Sequence, residues 1–176
     1  VSFKVPNLSL IERYGPPKEM WPRFNLDFPE AQACPAKLNI AEVLVDENVR
    51  MGRGCKAAIL CEDKTITYAE LQLMVNRLGN ALKSLDVKVG DRVLLRLANT
   101  PNFIVSHLAT QKIGAVSVPT HPLWRAKEIS YIVNDCEAKV LISTSQMFEE
   151  IEKIKDEIRT VKHIVVSGDV VKYPYI

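Results

Sequence analysis

The sequence predicts an α/β protein with a layered, open and mainly parallel sheet and flanking helices. From residue 39 onward, short apolar runs alternate with longer segments in which apolar residues recur every three or four positions. The short runs are apolar on both faces, which is typical of strands covered by helices on two sides. Of the 176 residues, 47% are hydrophobic, so the chain can form a full-sized core.

The chain before this alternation has a different character. Six of the ten prolines lie before residue 36, and each proline fixes a backbone angle and removes a hydrogen-bond donor. We therefore expect residues 1–38 to form an extended arm. The many aromatic and apolar residues of this arm indicate that it packs on a body formed by residues 39–176.

The body is expected to begin with a short helix and a β-hairpin. The helix is predicted near residues 41–51, and Gly52 and Gly54 are expected to end it. A dinucleotide loop is not expected at these glycines, because such a loop follows a strand and carries a third glycine. The two hairpin strands are predicted at residues 57–61 and 65–68.

A longer helix is predicted directly after the hairpin. Thr67 and Glu70 have the spacing of a capping box, in which each side chain satisfies a free backbone N–H of the other residue. One face of the predicted helix is apolar. Its members are Leu71, Met74, Val75, Leu78, Ala81, Leu82 and Leu85. This face indicates that the helix packs on the sheet.

Alternating strands and helices complete the predicted fold. Strands are predicted at residues 92–97, 115–118, 139–143 and 163–166. Helices are predicted from Pro101 to Ile113 with Thr100 as cap, from Trp124 to Cys136, and after Ser145 as cap. Ligands of open parallel sheets bind beyond the carboxyl ends of the strands. Here those ends present Ala98 and Asn99, Thr120 and His121, Thr144, and residues 167–169.

Composition argues against several classes of function. The 23 basic and 21 acidic residues are interleaved and give a formal charge of +2, which does not favour binding to nucleic acid. No apolar run approaches the roughly 20 residues of a membrane-spanning helix, so we expect a cytoplasmic protein. The four cysteines form no CxxC pair and have no histidine at ligand spacing, so no metal site is predicted.

No catalytic residue is predicted within the chain. His121 lies between Pro119 and Pro122, and we interpret it as a loop residue that fixes local geometry. A GxSxG nucleophile motif is absent. One alternative reading is a freestanding flavodoxin-like α/β module that binds a partner without catalysis. Such a module needs a Ser/Thr-rich phosphate loop after its first strand, and the sequence has no such loop there.

Two short motifs resemble those of a known family. ITYAEL at residues 66–71 and QKIGAVSVPTHP at residues 111–122 follow the order of core motifs in the AMP-forming acid–CoA ligases of the adenylate-forming superfamily. The segments at residues 90–103 and 128–142 are also similar to that family. The motif residues expected to have structural roles are Thr67, Tyr68, Glu70, Leu71, Gly114, Pro119 and Pro122. The resemblance implies part of the N-terminal domain of the adenylate-forming fold.

The upstream segments and one loop resemble a particular branch of this family. Residues 20–30 and 38–46, together with the loop HPLWRAKEISYI, are similar to 2-aminobenzoate-CoA and benzoate-CoA ligases. The resemblance therefore implies a role in fatty or aromatic acid metabolism. A carboxylate and ATP would form an acyl adenylate and pyrophosphate with Mg²⁺, and the thiol of coenzyme A would then displace AMP to form a thioester.

The groups that perform this chemistry lie downstream in the family. The resemblance implies that the chain stops before the phosphate-binding loop and its lysine. We therefore expect the chain alone to be inactive and to bind neither ATP, Mg²⁺ nor coenzyme A. We also expect self-association, because a partial sheet leaves a strand edge or an apolar patch uncovered.

One binding role is implied for the loop after the second motif. In some family members this loop supplies a basic residue to the nucleotide end of coenzyme A, close to the position of Leu123. That position is apolar here, and positive charge is found instead at Arg125 and Lys127. These two residues are the predicted coenzyme A contacts, through charge-assisted hydrogen bonds to phosphate. The alternative is that Arg125 is an ordinary solvated residue at the start of a helix.

Overall fold

The computed structural model describes residues 15–20, 29, 35, 37–62 and 64–168. The chain divides into two units, Val1–Leu38 and Asn39–Ile176. In the first unit the described residues include a 3₁₀ turn at Lys18–Met20. Most of the predicted arm lies outside the described residues, so its packing on the body stays a prediction.

Among the described residues of the second unit, six strands form two sheets. An antiparallel hairpin pairs β1 (Ala57–Cys61) with β2 (Lys64–Thr67). The larger sheet contains β3 (Arg92–Arg96), β4 (Val116–Pro119), β5 (Val140–Thr144) and β6 (His163–Ser167). Its order is β4-β3-β5-β6, and all neighbouring strands are parallel. The predicted α/β class, parallel sheet and hairpin are confirmed.

Helices cover both faces of the parallel sheet. They are α1 (Tyr68–Ser84), α2 (Pro101–Lys112), α3 (Ala126–Asp135) and the short α4 (Phe148–Glu152). Alternate strand residues point to opposite faces. One face packs Val93, Leu95, Val140 and Ile142 with Leu82 of α1. The other packs Leu94 and Leu141 with Ile129 and Val133 of α3 and Ile151 of α4. The continuously apolar strands predicted from the sequence are therefore buried between two helical layers.

The segment before the hairpin is helical, as expected, but its hydrogen bonding is of the π type. The two segments are Glu42–Asp46 and Val49–Arg53. Val45 packs in the core against α1 and α2. Gly52 has a φ of 75°, a left-handed conformation that glycine adopts at low cost. This conformation agrees with the prediction that the glycines end the helix.

One predicted cap is wrong and another is confirmed in position only. Ser145 does not cap a long helix, because Ser145–Met147 is itself a 3₁₀ turn and α4 ends at Glu152. Ile151, Ile154 and Ile158 are nevertheless buried, because turns after α4 continue the same apolar spacing. Thr100 occupies the predicted N-cap position of α2, with Pro101 as the first helical residue, but its side chain makes no capping hydrogen bond. Its hydroxyl donates to the Ala98 carbonyl at 3.4 Å instead.

The predicted helix bounds around α3 also change. The helix starts at Ala126 rather than Trp124, because Arg125 has extended backbone angles. Among the residues that the structure describes, no helix has the length and apolar character needed to cross a bilayer.

Candidate functional site

A cleft of about 700 Å³ opens at the carboxyl ends of β5 and β6. The start of α2 and the hairpin form its other walls. Its polar lining includes Thr100, Asn102, Thr144, Ser145, Gln146 and Ser167. The cleft therefore lies at the edge of the sheet that the sequence predicted for ligands, and it includes the predicted positions Thr144, Ser167 and Gly168.

The polar groups of the cleft offer hydrogen bonds. The Asn102 amide donates to the Ser167 hydroxyl at 2.8 Å. The Thr144 hydroxyl oxygen is buried and has no hydrogen-bond partner among the described residues. A Cβ on Gly168, which has a φ of 117°, would lie 2.9 Å from the Ser145 hydroxyl oxygen. A side chain at Gly168 would therefore require the Ser145 hydroxyl to shift.

The described lining of this cleft contains few ionisable groups. They are Cys61, Glu62 and Lys64, all from the hairpin. A nucleophile held against a base, which covalent catalysis requires, is not found among these described residues. Within the described ranges, no three His, Cys, Asp or Glu side chains gather as metal ligands. The polar groups of the cleft can bind a ligand by hydrogen bonds.

The residues of the first motif build the start of α1. The Thr67 backbone N–H donates to the Glu70 carboxylate at 2.8 Å, and the Glu70 N–H donates to the Thr67 hydroxyl at 3.3 Å. Hydrogen bonds from Thr67 hold the pKa of Glu70 below its ordinary value. The Tyr68 N–H donates to the Lys56 carbonyl at 3.0 Å, and Leu71 is buried in the core. The predicted capping box is present.

The residues of the second motif shape β4 and the turns on either side of it. Gly114 has a φ of 77°, and a Cβ there would lie 3.0 Å from a methyl carbon of Val89. Pro119 ends β4, an outer strand of the sheet, where a residue without an N–H donor is tolerated. Pro122 lies in the following turn. The motif residues thus lie in backbone positions with special requirements.

The three histidines lie apart in different elements. The His121 Nδ1 accepts a hydrogen bond from the Leu123 N–H at 3.2 Å. His107 contacts the Ser117 hydroxyl at 2.9 Å and stacks on Phe103 with ring centroids 6.0 Å apart. His163 opens β6. None of these histidines is among the residues that line the described cleft.

The two predicted coenzyme A contacts lie at the start of α3. The Arg125 side chain is 82% exposed, and its guanidinium lies 3.8 Å from the Glu150 carboxylate. Lys127 lines a separate groove of about 470 Å³ with Tyr131 and Lys153. Both residues are therefore accessible, and neither lines the cleft at the ends of β5 and β6.

The sequence did not predict a buried arginine that contacts the backbone next to Arg125. Arg96, the last residue of β3, is only 3% exposed. Its guanidinium donates to the Met147 carbonyl at 2.7 Å and to the Trp124 carbonyl at 2.9 Å. Burial lowers the pKa of the Arg96 guanidinium, and the nearby Glu150 carboxylate offsets part of that effect. The sequence signal that could have indicated this buried arginine is a charged residue at the end of the apolar run VLL.

Glu150 was also missed by the sequence analysis. Its carboxylate accepts from the Ala126 N–H at 2.8 Å and from Lys153 at 2.7 Å. The hydrogen bonds from Lys153 and Ala126 hold the pKa of Glu150 below its ordinary value. No sequence signal indicated this contact, because Glu150 and Ala126 are 24 positions apart in separate helices.

Comparisons with known proteins agree with this architecture. Residues 46–174 match the family described as "AMP-binding enzyme". A 3-hydroxybenzoate–CoA/4-hydroxybenzoate–CoA ligase from Thauera aromatica is 31% identical over 139 residues, which cover 79% of this chain and 27% of the relative. An acetyl-coenzyme A synthetase from Rubrobacter xylanophilus is 37% identical over 124 residues, covering 66% of this chain and 19% of that protein.

A solved structure of similar fold is the anthranilate CoA ligase AuaEII in complex with anthranoyl-AMP. It superposes with a TM-score of 0.73 at 31% identity, covering 78% of this chain and 26% of that protein. The chain thus spans about a quarter of the length of the first relative and of this structure. On the match over residues 46–174, this chain belongs to the AMP-binding enzyme family.

Proposed function

We propose that this chain is the N-terminal portion of an ATP-dependent, AMP-forming carboxylic acid–CoA ligase. The observation that carries the proposal is the family match over residues 46–174 together with the two motifs in their expected order. Relatives named for hydroxybenzoate and for acetate support the reaction class. They do not favour one acid, so the substrate class proposed is a small or aromatic carboxylic acid.

In this proposal the chain itself supplies a scaffold. The first motif starts α1 and the second shapes the β4 edge, so both motifs position the sheet. ATP and Mg²⁺ would supply the activated phosphate and the charge neutralisation of the complete enzyme, at groups outside this chain. Arg125 and Lys127 would contact a phosphate at the nucleotide end of coenzyme A, and their exposure at the start of α3 supports that role.

We further propose that the isolated chain is inactive. Adenylation needs preorganised donors around the developing phosphate charge, and Lys64 is the cation among the described residues that line the cleft. Carboxylate-dependent exchange of labelled pyrophosphate into ATP, with benzoate, 2-aminobenzoate and acetate as acids, tests this. We expect no signal above a blank from the chain. A polypeptide that continues the frame through a phosphate-binding loop should give a signal.

Localisation and assembly are also part of the proposal. We propose a cytoplasmic enzyme whose isolated N-terminal portion self-associates. The outer strands β4 and β6 of the sheet support self-association, because strand edges pair readily with other chains. Sedimentation velocity over a range of concentrations should show a concentration-dependent rise in mass. A constant monomer mass at the highest concentration would contradict this part.

A further inference from the structure

Two residues on different elements hold the peptide bonds on either side of Arg125. Arg96 approaches from the end of β3 and donates to the Trp124 carbonyl at 2.9 Å. Glu150 approaches from α4 and accepts from the Ala126 N–H at 2.8 Å. The residues just before and just after Arg125 are therefore each fixed by a charged side chain.

The cost of burying Arg96 makes this contact informative. The guanidinium is almost fully buried, and its Nε has no hydrogen-bond partner among the described residues. Burying a charge without a carboxylate contact is unfavourable, and an apolar side chain would fill the same space at lower cost. What the arginine adds is a pair of donors that link the turn after β4 to the turn after β5.

The Glu150 carboxylate also interacts electrostatically with the Arg125 side chain. Its side chain is 18% exposed, and its carboxylate lies 3.8 Å from the Arg125 guanidinium. The Arg125 side chain therefore starts from a backbone that is hydrogen-bonded on both sides. Ordering a backbone segment before binding lowers the entropy lost on binding.

We infer that Arg96 and Glu150 form a clamp, defined by these two residues, that positions Arg125 for a phosphate ligand. Both members are positioning residues, since they act through the backbone and side chain of Arg125. The role of the clamp in binding coenzyme A rests on the proposed function. The mechanical part of the inference is that the clamp keeps residues 121–127 structurally ordered. This part does not depend on the proposed function.

Amide hydrogen exchange of the 176-residue chain, followed by NMR, tests the mechanical part. Arg96→Met should raise amide exchange across residues 123–127 by about tenfold, whereas exchange in the sheet should change less. Arg92→Met is the matched control. Arg92 lies at the opposite end of β3 and also donates to backbone carbonyls, those of Cys136 and Glu137, so it should leave that segment unchanged.

Glu150 gives an independent pair of variants. Glu150→Ala removes the acceptor and should raise exchange at the Ala126 amide by about tenfold, whereas Glu150→Gln keeps an acceptor oxygen and should stay within about threefold. If Arg96→Met does not fold, the two Glu150 variants alone test the clamp. Equal exchange at Ala126 in the two Glu150 variants, or Arg96→Met and Arg92→Met patterns that coincide, would refute the clamp.

The functional part needs a ligase polypeptide that includes this chain. There Arg96→Met should raise the KM for coenzyme A several-fold with kcat unchanged, and Arg92→Met should change neither. An unchanged KM in Arg96→Met would overturn the positioning role. A longer polypeptide that forms no thioester at all would overturn the proposed function, while the exchange measurement would still judge the clamp.

Discussion

The two ends of the parallel sheet are stabilised in different ways. At the amino end, Lys139 contacts Asp91 at 2.8 Å and also Asp86, and Arg92 pairs with Glu137 at 3.0 Å. At the carboxyl end lie an open cleft, a hydroxyl with no partner among the described residues and a buried guanidinium bound to carbonyls. Unpaired buried groups reduce stability. The amino end is therefore organised for stability, and the carboxyl end keeps polar groups available for binding.

The largest expected effect on stability comes from the buried core of the sheet, on which both ends depend. Leu141 of β5 is fully buried, and Leu141→Ala should lower the free energy of unfolding by about 2–5 kcal/mol, because it removes buried methyl groups and leaves a cavity. Urea denaturation measures this loss. The exposed Leu73 on α1 is the control, and Leu73→Ala should cost less than about 0.5 kcal/mol. Equal losses in the two variants would contradict the assigned core.

Two glycines test the backbone at the two ends of the sheet. Gly114→Ala, before β4, should cost about 1–3 kcal/mol, because its φ of 77° is strained for alanine and Val89 lies at 3.0 Å from the new Cβ. Gly168→Ala, after β6, meets the Ser145 hydroxyl instead. Thermal unfolding measures both. Adding Ser145→Ala should recover part of the Gly168→Ala loss and none of the Gly114→Ala loss; recovery in both would argue against the contact.

The sequence predicted the fold better than the site. Periodicity located the strands and α1 because burial on the sheet follows directly from apolar spacing, and the capping box followed from Thr67 and Glu70. Ser145 was assigned as a cap wrongly, since a 3₁₀ turn and a cap begin with similar residues. The contacts of Arg96 and Glu150 were not predicted, because each joins elements far apart in the chain.

The amino end should also respond to pH. Burial raises the pKa of Asp91, but hydrogen bonds from Lys139 and from the Lys88 N–H outweigh it, so the pKa lies below its ordinary value of 3.8. A folded-state pKa below the unfolded value stabilises the fold at pH above the unfolded pKa. That stability is lost as the pH falls through the folded-state pKa.

Asp91→Asn should therefore lower the free energy of unfolding by about 1 kcal/mol at pH 7 and by less at pH 3. Urea denaturation at a series of pH values measures the difference. Glu62→Gln, on the hairpin, is a control far from Lys139 in the chain. A loss for Asp91→Asn that is the same at pH 3 and pH 7 would show that the carboxylate charge does not stabilise the amino end.

The smallest expected effect concerns the unpartnered hydroxyl at the carboxyl end. Thr144→Val removes a buried oxygen that has no hydrogen-bond partner among the described residues, so stability should stay unchanged or rise by up to about 1 kcal/mol. Thr110→Val is the matched control, because the buried Thr110 hydroxyl donates to the Ser106 carbonyl at 2.7 Å. That variant should lose about 1 kcal/mol. If Thr144→Val raises the free energy of unfolding and Thr110→Val lowers it, the Thr144 hydroxyl at the cleft reduces stability. Equal losses in the two variants would mean that Thr144 contributes to the fold as Thr110 does.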